Sequence, residues 1–427
     1  MAIDLKVLVF PCGTEIGLEI QRALDSARGI VLFGGSSVGD HGEFAYKNYI
    51  PDIPYVSDDR FLAELNGIIK ERGIDYVIPA HDAVILKLAE AAESGRLSCR
   101  LLTAPYSTCR ICRSKNETHS TFTGLLPVPR RYSSLEDVRE WPVFLKPDLG
   151  CGSRGVFLCS SRAEASRQLE KCGDLLIFEY LPGREYTVDC FTDRHGKLVF
   201  CGGRERARIL NGISVRTIPV DSPALRKAAE IINSKLDFRG VWFFQMKEDK
   251  SGRPMLLEIA PRVAGAMALY RNLGVNFALM SLYDAEGHDV DVIRNEFPLI
   301  FDRALGGRFK AVLDYSRVYV DWDDCVVRGD SLNLPMVAFL YQCVDSGVEL
   351  ILLTRHAGDL RAALRRHRLE QVFSSVVHIK DGSPKSSFVK APTSIFIDDS
   401  FAERKEVREK TGIPVFAPDA VESLLHL

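Results

Sequence analysis

One lysine stands between an apolar strand and a glycine-rich turn near the middle of the chain. Residues 143–158 read VFLKPDLGCGSRGVFL, and Lys146 ends the first of two apolar stretches. The turn carries glycines and side-chain donors, namely Gly150, Gly152, Ser153, Arg154 and Gly155. Glycines let backbone N–H groups approach a ligand closely, and the lysine adds a fixed cation. This combination predicts a polyphosphate site with ATP as its ligand; a plain β-hairpin whose glycines serve only the turn is the alternative.

A second hairpin pattern supplies groups that could hold a metal ion. Residues 240–262 read GVWFFQMKEDKSGRPMLLEIAPR, two apolar stretches around a turn at Lys250 to Gly252. Such a hairpin brings Gln245 and Glu258 onto strands that pair with each other. Two oxygen-bearing side chains at that spacing can share one Mg²⁺. We therefore predict a magnesium ion as the partner of the phosphate-binding lysine.

A stretch rich in arginine lies between these segments. Residues 201–220 carry four arginines around Asn211-Gly212, at Arg204, Arg206, Arg208 and Arg216. Alternate residues of a strand share a face, and arginines on one face can bind a carboxylate or a phosphate through paired hydrogen bonds. We predict substrate contacts for Arg204 and Arg216, with an exposed, solvated strand as the alternative.

Carboxylates crowd the end of a strand in the last quarter of the chain. Residues 316–327 read SRVYVDWDDCVV, in which an apolar run leads directly into Asp321, Asp323 and Asp324. Neighbouring carboxylates repel one another unless a cation lies among them, so this pattern predicts a Mg²⁺ site. Later segments add polar residues near strand ends, namely Thr354 in VELILLTRH, Lys385 in SPKSSFVK, and Asp398 and Asp399 in TSIFIDDS.

The first part of the chain, over about residues 1–105, alternates between predicted strands and helices. This alternation is typical of a parallel, doubly wound sheet, so we predict an α/β fold class. Gly13 and Gly17 fall where a dinucleotide fingerprint would lie, but its third glycine is missing, and we expect no nicotinamide cofactor. His81 and Asp82 follow a strand end, where open α/β sheets bind ligands, and are candidates for substrate contact. Helix N-capping by Asp82 is the alternative.

Composition limits the classes of function. The 427 residues are 46% hydrophobic and carry a formal net charge of −2, which offers no electrostatic argument for nucleic acid or an anionic membrane. No apolar run is long enough to span a bilayer and the first residues lack a signal-peptide pattern, so we expect a cytoplasmic protein. The 11 cysteines are scattered, which fits reduced thiols. Cys109 and Cys112 form a CxxC without a second ligand pair, so we expect helix packing rather than zinc.

In their order along the chain, these motifs resemble the ATP-grasp superfamily, in particular its carboxylate–amine ligase and carbamoyl-phosphate-synthase-like branch. The matching segments are SKNETHSTFTGLLPVP, VFLKPDLGCGSRGV, FEYLPGREYTVD and QMKEDKSGRPMLLEIAPR. The resemblance covers about residues 1–305. It implies a Rossmann-like pre-ATP-grasp layer over 1–105 and an α+β ATP-grasp domain over 106–305, with a lid at about 140–182.

The resemblance also implies roles for individual residues. Lys115 and Lys146 would contact the α- and β-phosphates of ATP beneath the glycine loop that contains Gly152 and Ser153. The adenine hinge and the ribose contact would be formed by Glu179, Tyr180, Leu181 and Glu185. The metal, Mg²⁺ with Mn²⁺ as an alternative, would be held by Gln245 and Glu258. The transferring phosphoryl group would be bound by Arg262, and the acyl phosphate or the acceptor by Arg216 and its neighbours.

One position departs from this family pattern. The usual ExNPR is EIAPR here, so Ala260 replaces an asparagine that normally ligates metal. A methyl group cannot coordinate Mg²⁺. The resemblance then leaves three outcomes open: a more weakly held metal, a water or substrate oxygen in the gap, or a site that binds nucleotide without efficient turnover.

The C-terminal segments resemble the haloacid dehalogenase (HAD) phosphatase superfamily over about residues 314–427, and all four of its motifs are present in order. The resemblance implies a Rossmann-like domain with Asp321 as the nucleophile and Asp323 as the general acid/base. Phosphate binding would fall to Thr354 and Lys385, with Lys380 as a substitute for Lys385. The metal ligands would be Asp321, Asp323, Asp398 and Asp399. Cys325 replaces a common threonine, and about thirty residues between the first two motifs are too few for a large cap domain.

We therefore predict a two-module enzyme. One module would activate a carboxylate as its acyl phosphate and transfer it to an amine, and the other would be a Mg²⁺-dependent phosphatase with an aspartyl-phosphate intermediate. The expected partners are small-molecule carboxylate and amine substrates, with a phosphorylated one as an option, and neither nucleic acid nor a membrane. The alternatives are an ATP-binding regulatory module, which Ala260 would allow, and carbamoyl-phosphate-type synthase chemistry. A homodimer is one option for the oligomeric state.

Overall fold

The computed structural model describes residues 5–150, 155–307, 309 and 311–425. The chain divides into two compact units, Met1–Leu305 and Gly306–Leu427. Among the described residues, no helix combines the length and the apolar character needed to cross a lipid bilayer.

The N-terminal unit begins with a five-stranded parallel sheet in the order β3-β2-β1-β4-β5. Its strands are β1 (Leu5–Phe10), β2 (Ile30–Gly35), β3 (Asn48–Ile50), β4 (Tyr76–Pro79) and β5 (Arg100–Leu101). Its helices are α1 (Glu15–Leu24), α2 (Gly42–Ala45), α3 (Phe61–Arg72) and α4 (Asp82–Glu93). Successive residues of β1 enter different cores, Leu8 with Leu65 of α3 and Val9 with Ile20 of α1. Both faces of this sheet are therefore covered, as in doubly wound folds.

A small antiparallel sheet follows, in the order β6-β9-β7-β8. This region comprises α5 (Tyr106–Arg113), α6 (Lys115–Phe122), β6 (Arg131–Tyr132), β7 (Val143–Pro147), β8 (Phe157–Cys159), α7 (Arg162–Cys172) and β9 (Leu175–Glu179). Val143, Leu145 and Ile177 form its own small core with Ala165 of α7. The segment predicted as a lid, residues 140–182, falls largely within this sheet.

The central sheet has six strands in the order β14-β13-β10-β11-β12-β15, and every neighbouring pair is antiparallel. Its strands are β10 (Glu185–Thr192), β11 (Leu198–Leu210), β12 (Ile213–Val220), β13 (Gly240–Glu248), β14 (Pro254–Ala260) and β15 (Phe301–Asp302). The accompanying helices are α8 (Pro223–Lys235), a 3₁₀ helix (Gly265–Met267), α9 (Ala268–Asn272) and α10 (Phe277–Ala285). Phe244 packs with Ile232 of α8 on one face. Because strand residues alternate, Gln245 lies on the opposite face, where the site forms.

The C-terminal unit is a five-stranded parallel sheet in the order β20-β19-β16-β21-β22. Its strands are β16 (Arg317–Val320), β17 (Val327–Arg328), β18 (Ser331–Leu332), β19 (Glu349–Thr354), β20 (Ser375–His378), β21 (Ser394–Ile397) and β22 (Val415–Phe416), of which β17 and β18 form a separate hairpin. The helices are α11 (Leu334–Asp345), α12 (Leu360–Arg366), α13 (Phe401–Thr411) and the 3₁₀ helices Lys385–Phe388 and Pro418–Leu424. Only the small hairpin and α11 lie between β16 and β19, so this fully described stretch contains no cap domain.

Candidate active sites

A cavity of about 200 Å³ in the N-terminal unit gathers most of the residues predicted to bind nucleotide. It is lined by the two predicted lysines, the predicted hinge and the predicted metal ligands, namely Lys115, Lys146, Glu179, Tyr180, Leu181, Glu185, Gln245 and Glu258. Arg206 and Lys247 add two more cations to its wall. Gly152 and Ser153 lie outside the described residues.

Lys146 is delivered into the cavity by β7. Its side chain is almost fully buried, and its Nζ lies 4.3 Å from the centre of the Phe178 ring. Burial and the nearby charge of Lys115 lower the pKa of Lys146 to about 8. The free protein thus holds a cation in a place that disfavours its charge. A bound polyanion would favour the charged form of Lys146 and raise its pKa again.

Lys115 lies at the start of α6, where the Ser114 hydroxyl accepts the Glu117 N–H and caps the helix. Its Nζ donates to the carbonyl oxygen of Asp148 at 3.1 Å. The Asp148 carboxylate in turn accepts from the Ser114 hydroxyl and from the Asn116 N–H. Asp148 therefore joins the first turn of α6 to the segment after Lys146. Our sequence analysis missed this residue, although it follows Lys146 by only two positions.

The cavity also has an apolar wall beside the predicted adenine hinge. Phe144, Phe178 and Leu257 provide apolar surface beside the segment from Glu179 to Leu181. The Glu179 carboxylate accepts the Arg130 N–H at 2.7 Å, so it also holds two chain segments together.

Glu185, the predicted ribose contact, is already ion-paired. It lies 2.7 Å from Arg206 Nε and 3.2 Å from Lys247 Nζ, and Lys247 is its direct neighbour across the strands β10 and β13. These two cations were not among our predicted nucleotide contacts. They add positive charge to the cavity that Lys115 and Lys146 also line.

The predicted pairing of Gln245 with Glu258 is confirmed, because the two residues lie directly opposite each other on β13 and β14. Both side chains line the cavity. Within the described part of the chain, neither one makes a hydrogen bond. A carboxylate and an amide oxygen that face a cavity without protein partners form a donor set that fits Mg²⁺.

Arg262 lies in a smaller cleft that shares Lys115, Gly150 and Glu258 with the main cavity. Its Nε donates to Asp82 at 2.5 Å, and its guanidinium lies 5.1 Å from the centre of the Phe243 ring. Burial opposes ionisation of Asp82, but Arg262 outweighs it and holds the pKa of Asp82 below its usual value. Our alternative for Asp82 was N-capping of α4. The cap is instead His81, whose side chain accepts the Ala83 N–H. Ala260 also lines this cleft.

The arginines of β11 and β12 do not form one shared face for a ligand. Arg204 is buried and donates from Nε and Nη2 to the two carboxylate oxygens of Asp189, at 2.7 and 3.1 Å. The Arg204 guanidinium is therefore buried and ion-paired with Asp189, and its predicted substrate contact stays a prediction. Irregular pairing around Glu205 to Arg208 then disturbs the alternation. Arg216 is exposed, opposite Asp302 of β15, and its role stays a prediction.

Comparisons with known proteins agree on the architecture of this unit. Residues 171–300 match the family model described as "ATP-grasp in the biosynthetic pathway with Ter operon". A D-alanine–D-alanine ligase from Fusobacterium nucleatum is 33% identical over 63 residues, which is 15% of this chain and 22% of that protein.

Solved structures extend the likeness. The ADP complex of Staphylococcus aureus N5-carboxyaminoimidazole synthetase has a TM-score of 0.58 at 14% identity, over 71% of this chain and 83% of that one. The biotin carboxylase domain of Hydrogenobacter thermophilus 2-oxoglutarate carboxylase, solved with MgADP, has a TM-score of 0.57 at 16% identity, over 67% and 70%. Bacillus licheniformis L-amino acid ligase has a TM-score of 0.51 at 17% identity, over 67% and 74%.

The chain contains an ATP-grasp fold. The predicted resemblance to the ATP-grasp superfamily is thereby confirmed at the level of the fold. In the ATP-grasp unit, Cys109 and Cys112 are buried in α5, and every cysteine of the described residues is a free thiol.

The C-terminal unit carries a second cluster of charges, at the carboxyl ends of neighbouring strands. Asp321 follows β16, Thr354 ends β19 and Asp398 follows β21. Lys385 Nζ lies 3.1 Å from Asp321 and 2.6 Å from Asp398, with all three side chains buried or nearly so. Lys380, the predicted substitute for Lys385, is exposed. Burial raises the pKa of Asp398 to about 6, although Lys385 opposes the shift.

The acidic group that could hold a metal differs from the predicted one. Among the described residues, the donors that lie within 4.8 Å of one another belong to Asp321, Cys325 and Asp399. Burial raises the pKa of the Cys325 thiol well above its usual value, so the two carboxylates are the plausible donors for Mg²⁺. Asp398 and Asp323 lie outside this group. The Asp398 carboxylate accepts from Lys385 and from the Ser400 N–H at 2.8 Å, and the Asp323 carboxylate contacts His356. Their predicted metal contacts stay predictions.

Proposed function

We propose that the ATP-grasp unit is an ADP-forming carboxylate–amine ligase. The observation that carries the proposal is one cavity lined by the buried Lys146, the half-buried Lys115 and the paired residues Gln245 and Glu258. Phosphoryl transfer from ATP requires charge neutralisation and positioning more than covalent help from the protein. Lys115 and Lys146 form no ion pair among the described residues, and the side chains of Gln245 and Glu258 make no hydrogen bond there, so these groups can meet both needs.

In the proposed reaction, a carboxylate oxygen of the first substrate attacks the γ-phosphorus of ATP and ADP leaves. An amine then attacks the acyl carbon, the C–N bond forms, and inorganic phosphate leaves. Lys115 and Lys146 would hold the phosphates, and Arg262 would steady the transferring group. Mg²⁺ at Gln245 and Glu258 would neutralise phosphate charge. The small sheet of residues 131–179 would exclude water from the acyl phosphate.

The smaller cleft supports an amino acid as one of the substrates. Asp82 and Arg262 offer opposite charges beside Lys115 and Glu258, so a molecule with both a carboxylate and an ammonium group finds partners there. Two of the similar proteins, a D-alanine–D-alanine ligase and an L-amino acid ligase, are named for such substrates. Amino acids are therefore the first substrates to test.

For the C-terminal unit we propose a HAD-type phosphatase. Asp321 would attack the phosphorus of a phosphoester, Asp323 would protonate the leaving oxygen, and water would then hydrolyse the aspartyl-phosphate. Thr354 and Lys385 would hold the phosphate, and Asp321 with Asp399 would bind Mg²⁺. The absence of a cap between β16 and β19 supports a bulky substrate. A phosphorylated product of the ligase would be one such molecule.

The decisive experiment measures ADP and phosphate release from Mg²⁺-ATP with a panel of amino acids and other small carboxylates. We expect substrate-dependent ADP release that is lost in Lys146→Ala, by about 10²- to 10³-fold, and retained in Asp321→Asn. Lys227→Ala, an exposed lysine of α8, is the matched control and should behave as wild type. Release of ADP that is unaffected by Lys146→Ala would reject the ligase site.

A regulatory ATP-binding role is the second candidate, and Ala260 favours it. In this case ATP binds without ADP release for every substrate pair, and it changes the rate of phosphate release from a phosphoester. Measuring phosphatase activity with and without a non-hydrolysable ATP analogue separates the two functions.

A further inference from the structure

The side chain of Asp323 makes one kind of contact in the C-terminal unit. His356 Nδ1 lies 2.9 Å from each of its two carboxylate oxygens. Within the described residues, this carboxylate has no other hydrogen-bond partner. The contact joins the loop after β16 to the loop after β19. It therefore determines where the proposed general acid/base points.

His356 is itself held firmly. Its N–H donates to the Thr354 hydroxyl at 3.1 Å, and its carbonyl oxygen contacts Nε2 of His378 at 2.8 Å. His378 ends β20, directly opposite Thr354 in the strand register. On the other side of the ring, a Cβ at Gly358 would lie only 2.8 Å from His356 Nε2. The backbone of His356 is thus anchored on both sides, and its ring lies with Nδ1 toward Asp323.

An imidazole nitrogen is well suited to orient an acid/base carboxyl group. With its proton on Nδ1 the ring donates to a carboxylate, and with its proton on Nε2 the same Nδ1 accepts from a carboxylic acid. One contact can thus orient Asp323 both before and after it releases its proton.

We propose that His356 is a positioning residue that aims Asp323 at the leaving oxygen of a phosphoester. The inference rests on the phosphatase function proposed above. As the Asp321 oxygen forms its bond to phosphorus, the ester P–O bond breaks and the leaving oxygen takes the proton of the Asp323 carboxyl group. In the second half, water attacks the phosphorus, Asp323 takes a proton from that water, and the bond to Asp321 breaks. His356 does not touch the substrate in either half.

The test compares two phosphoesters that differ in their need for an acid. 4-Nitrophenolate leaves readily without a proton, whereas the alkoxide of glycerol 2-phosphate needs one. We expect His356→Ala to lower kcat/KM for glycerol 2-phosphate by about 10- to 100-fold, and that for 4-nitrophenyl phosphate much less. Asp323→Asn should lower the ratio of kcat/KM for glycerol 2-phosphate to kcat/KM for 4-nitrophenyl phosphate by about 10²- to 10⁴-fold. The double variant should lose no more than Asp323→Asn alone.

Two further variants distinguish positioning from structural support. His356→Asn places an amide near the site of Nδ1 and should restore most of the kcat/KM ratio between the two substrates. The control is Lys405→Ala, at an exposed position of α13, which should leave both rates unchanged. An equal loss for both substrates in His356→Ala, with no rescue by His356→Asn, would overturn the proposal. The phosphatase function itself is tested first: wild-type protein should release phosphate in a Mg²⁺-dependent manner, and Asp321→Asn should abolish this release. If it does not, the phosphatase is rejected before any His356 variant is made.

Discussion

The two units treat a buried lysine in opposite ways. Lys146 of the ATP-grasp unit has a pKa lowered to about 8, because burial and Lys115 disfavour its charge. Lys385 of the C-terminal unit is just as buried, but Asp321 and Asp398 outweigh that burial and raise its pKa. Among the described residues Lys146 forms no ion pair, whereas Lys385 forms two.

This difference indicates what each site binds first. A cavity with unneutralised lysines favours a polyanion, and ATP provides one. In the C-terminal unit the lysine is neutralised internally, and the remaining free charge belongs to carboxylates such as Asp399. That site favours a cation before it can bind a phosphoester. The comparison can be tested in three ways.

The largest expected effect is on stability. Lys385→Met leaves two buried carboxylates without their cation, so we expect it to lower the free energy of unfolding of the C-terminal unit by about 3–5 kcal/mol. Lys146→Met removes a charge that burial already disfavours. In the absence of ATP we therefore expect the free energy of unfolding of the ATP-grasp unit to stay the same or to rise slightly. Urea denaturation of the full chain without nucleotide measures both. Equal losses in the two variants would contradict the comparison.

The next effect is a pH dependence of ATP binding. In the proposed site the charged form of Lys146 would bind ATP, and in the free protein Lys146 loses its proton as the pH rises through about 8. Binding above that pH must take up a proton, so affinity should fall by up to about tenfold per pH unit. Lys146→Arg keeps its charge and should remove the dependence. Titration calorimetry between pH 7 and 9.5 in two buffers measures affinity and proton uptake, and a flat wild-type profile would exclude Lys146 as the titrating contact.

The smallest expected effect concerns the position that departs from the family pattern. Ala260 lines the smaller cleft beside Glu258, on the same face of β14. Ala260→Asn adds an amide oxygen there, and we expect it to lower the Mg²⁺ concentration for half-maximal ADP release by about tenfold. Ala260→Leu, which adds bulk without an oxygen, is the control. An asparagine variant with the same Mg²⁺ requirement as wild type would show that other oxygens already complete the site.

Local features of the chain were predictable because neighbouring residues determine them. The turn at Lys250 to Gly252 sets the register of β13 and β14, and this register places Gln245 opposite Glu258. The N-terminal parallel sheet also followed from the alternation of strands and helices over about residues 1–105. The grouping of Asp321, Thr354 and Asp398 was implied by the resemblance to the HAD superfamily, and the structure places them at the ends of neighbouring parallel strands.

Pairings between distant side chains were decided only by the tertiary structure. Arg204 pairs with Asp189, Lys385 pairs with Asp398, and Asp323 contacts His356. Each of these contacts depends on a rotamer, on a strand face or on an irregular pairing such as that near Arg208. The sequence by itself indicated many of the charged residues of each site, such as Lys146, Glu258 and Asp321, but not Asp148 or Lys247. Only the packed structure decided which of them neutralise one another and which remain for a ligand, because burial and distance set the cost of leaving a charge unpaired.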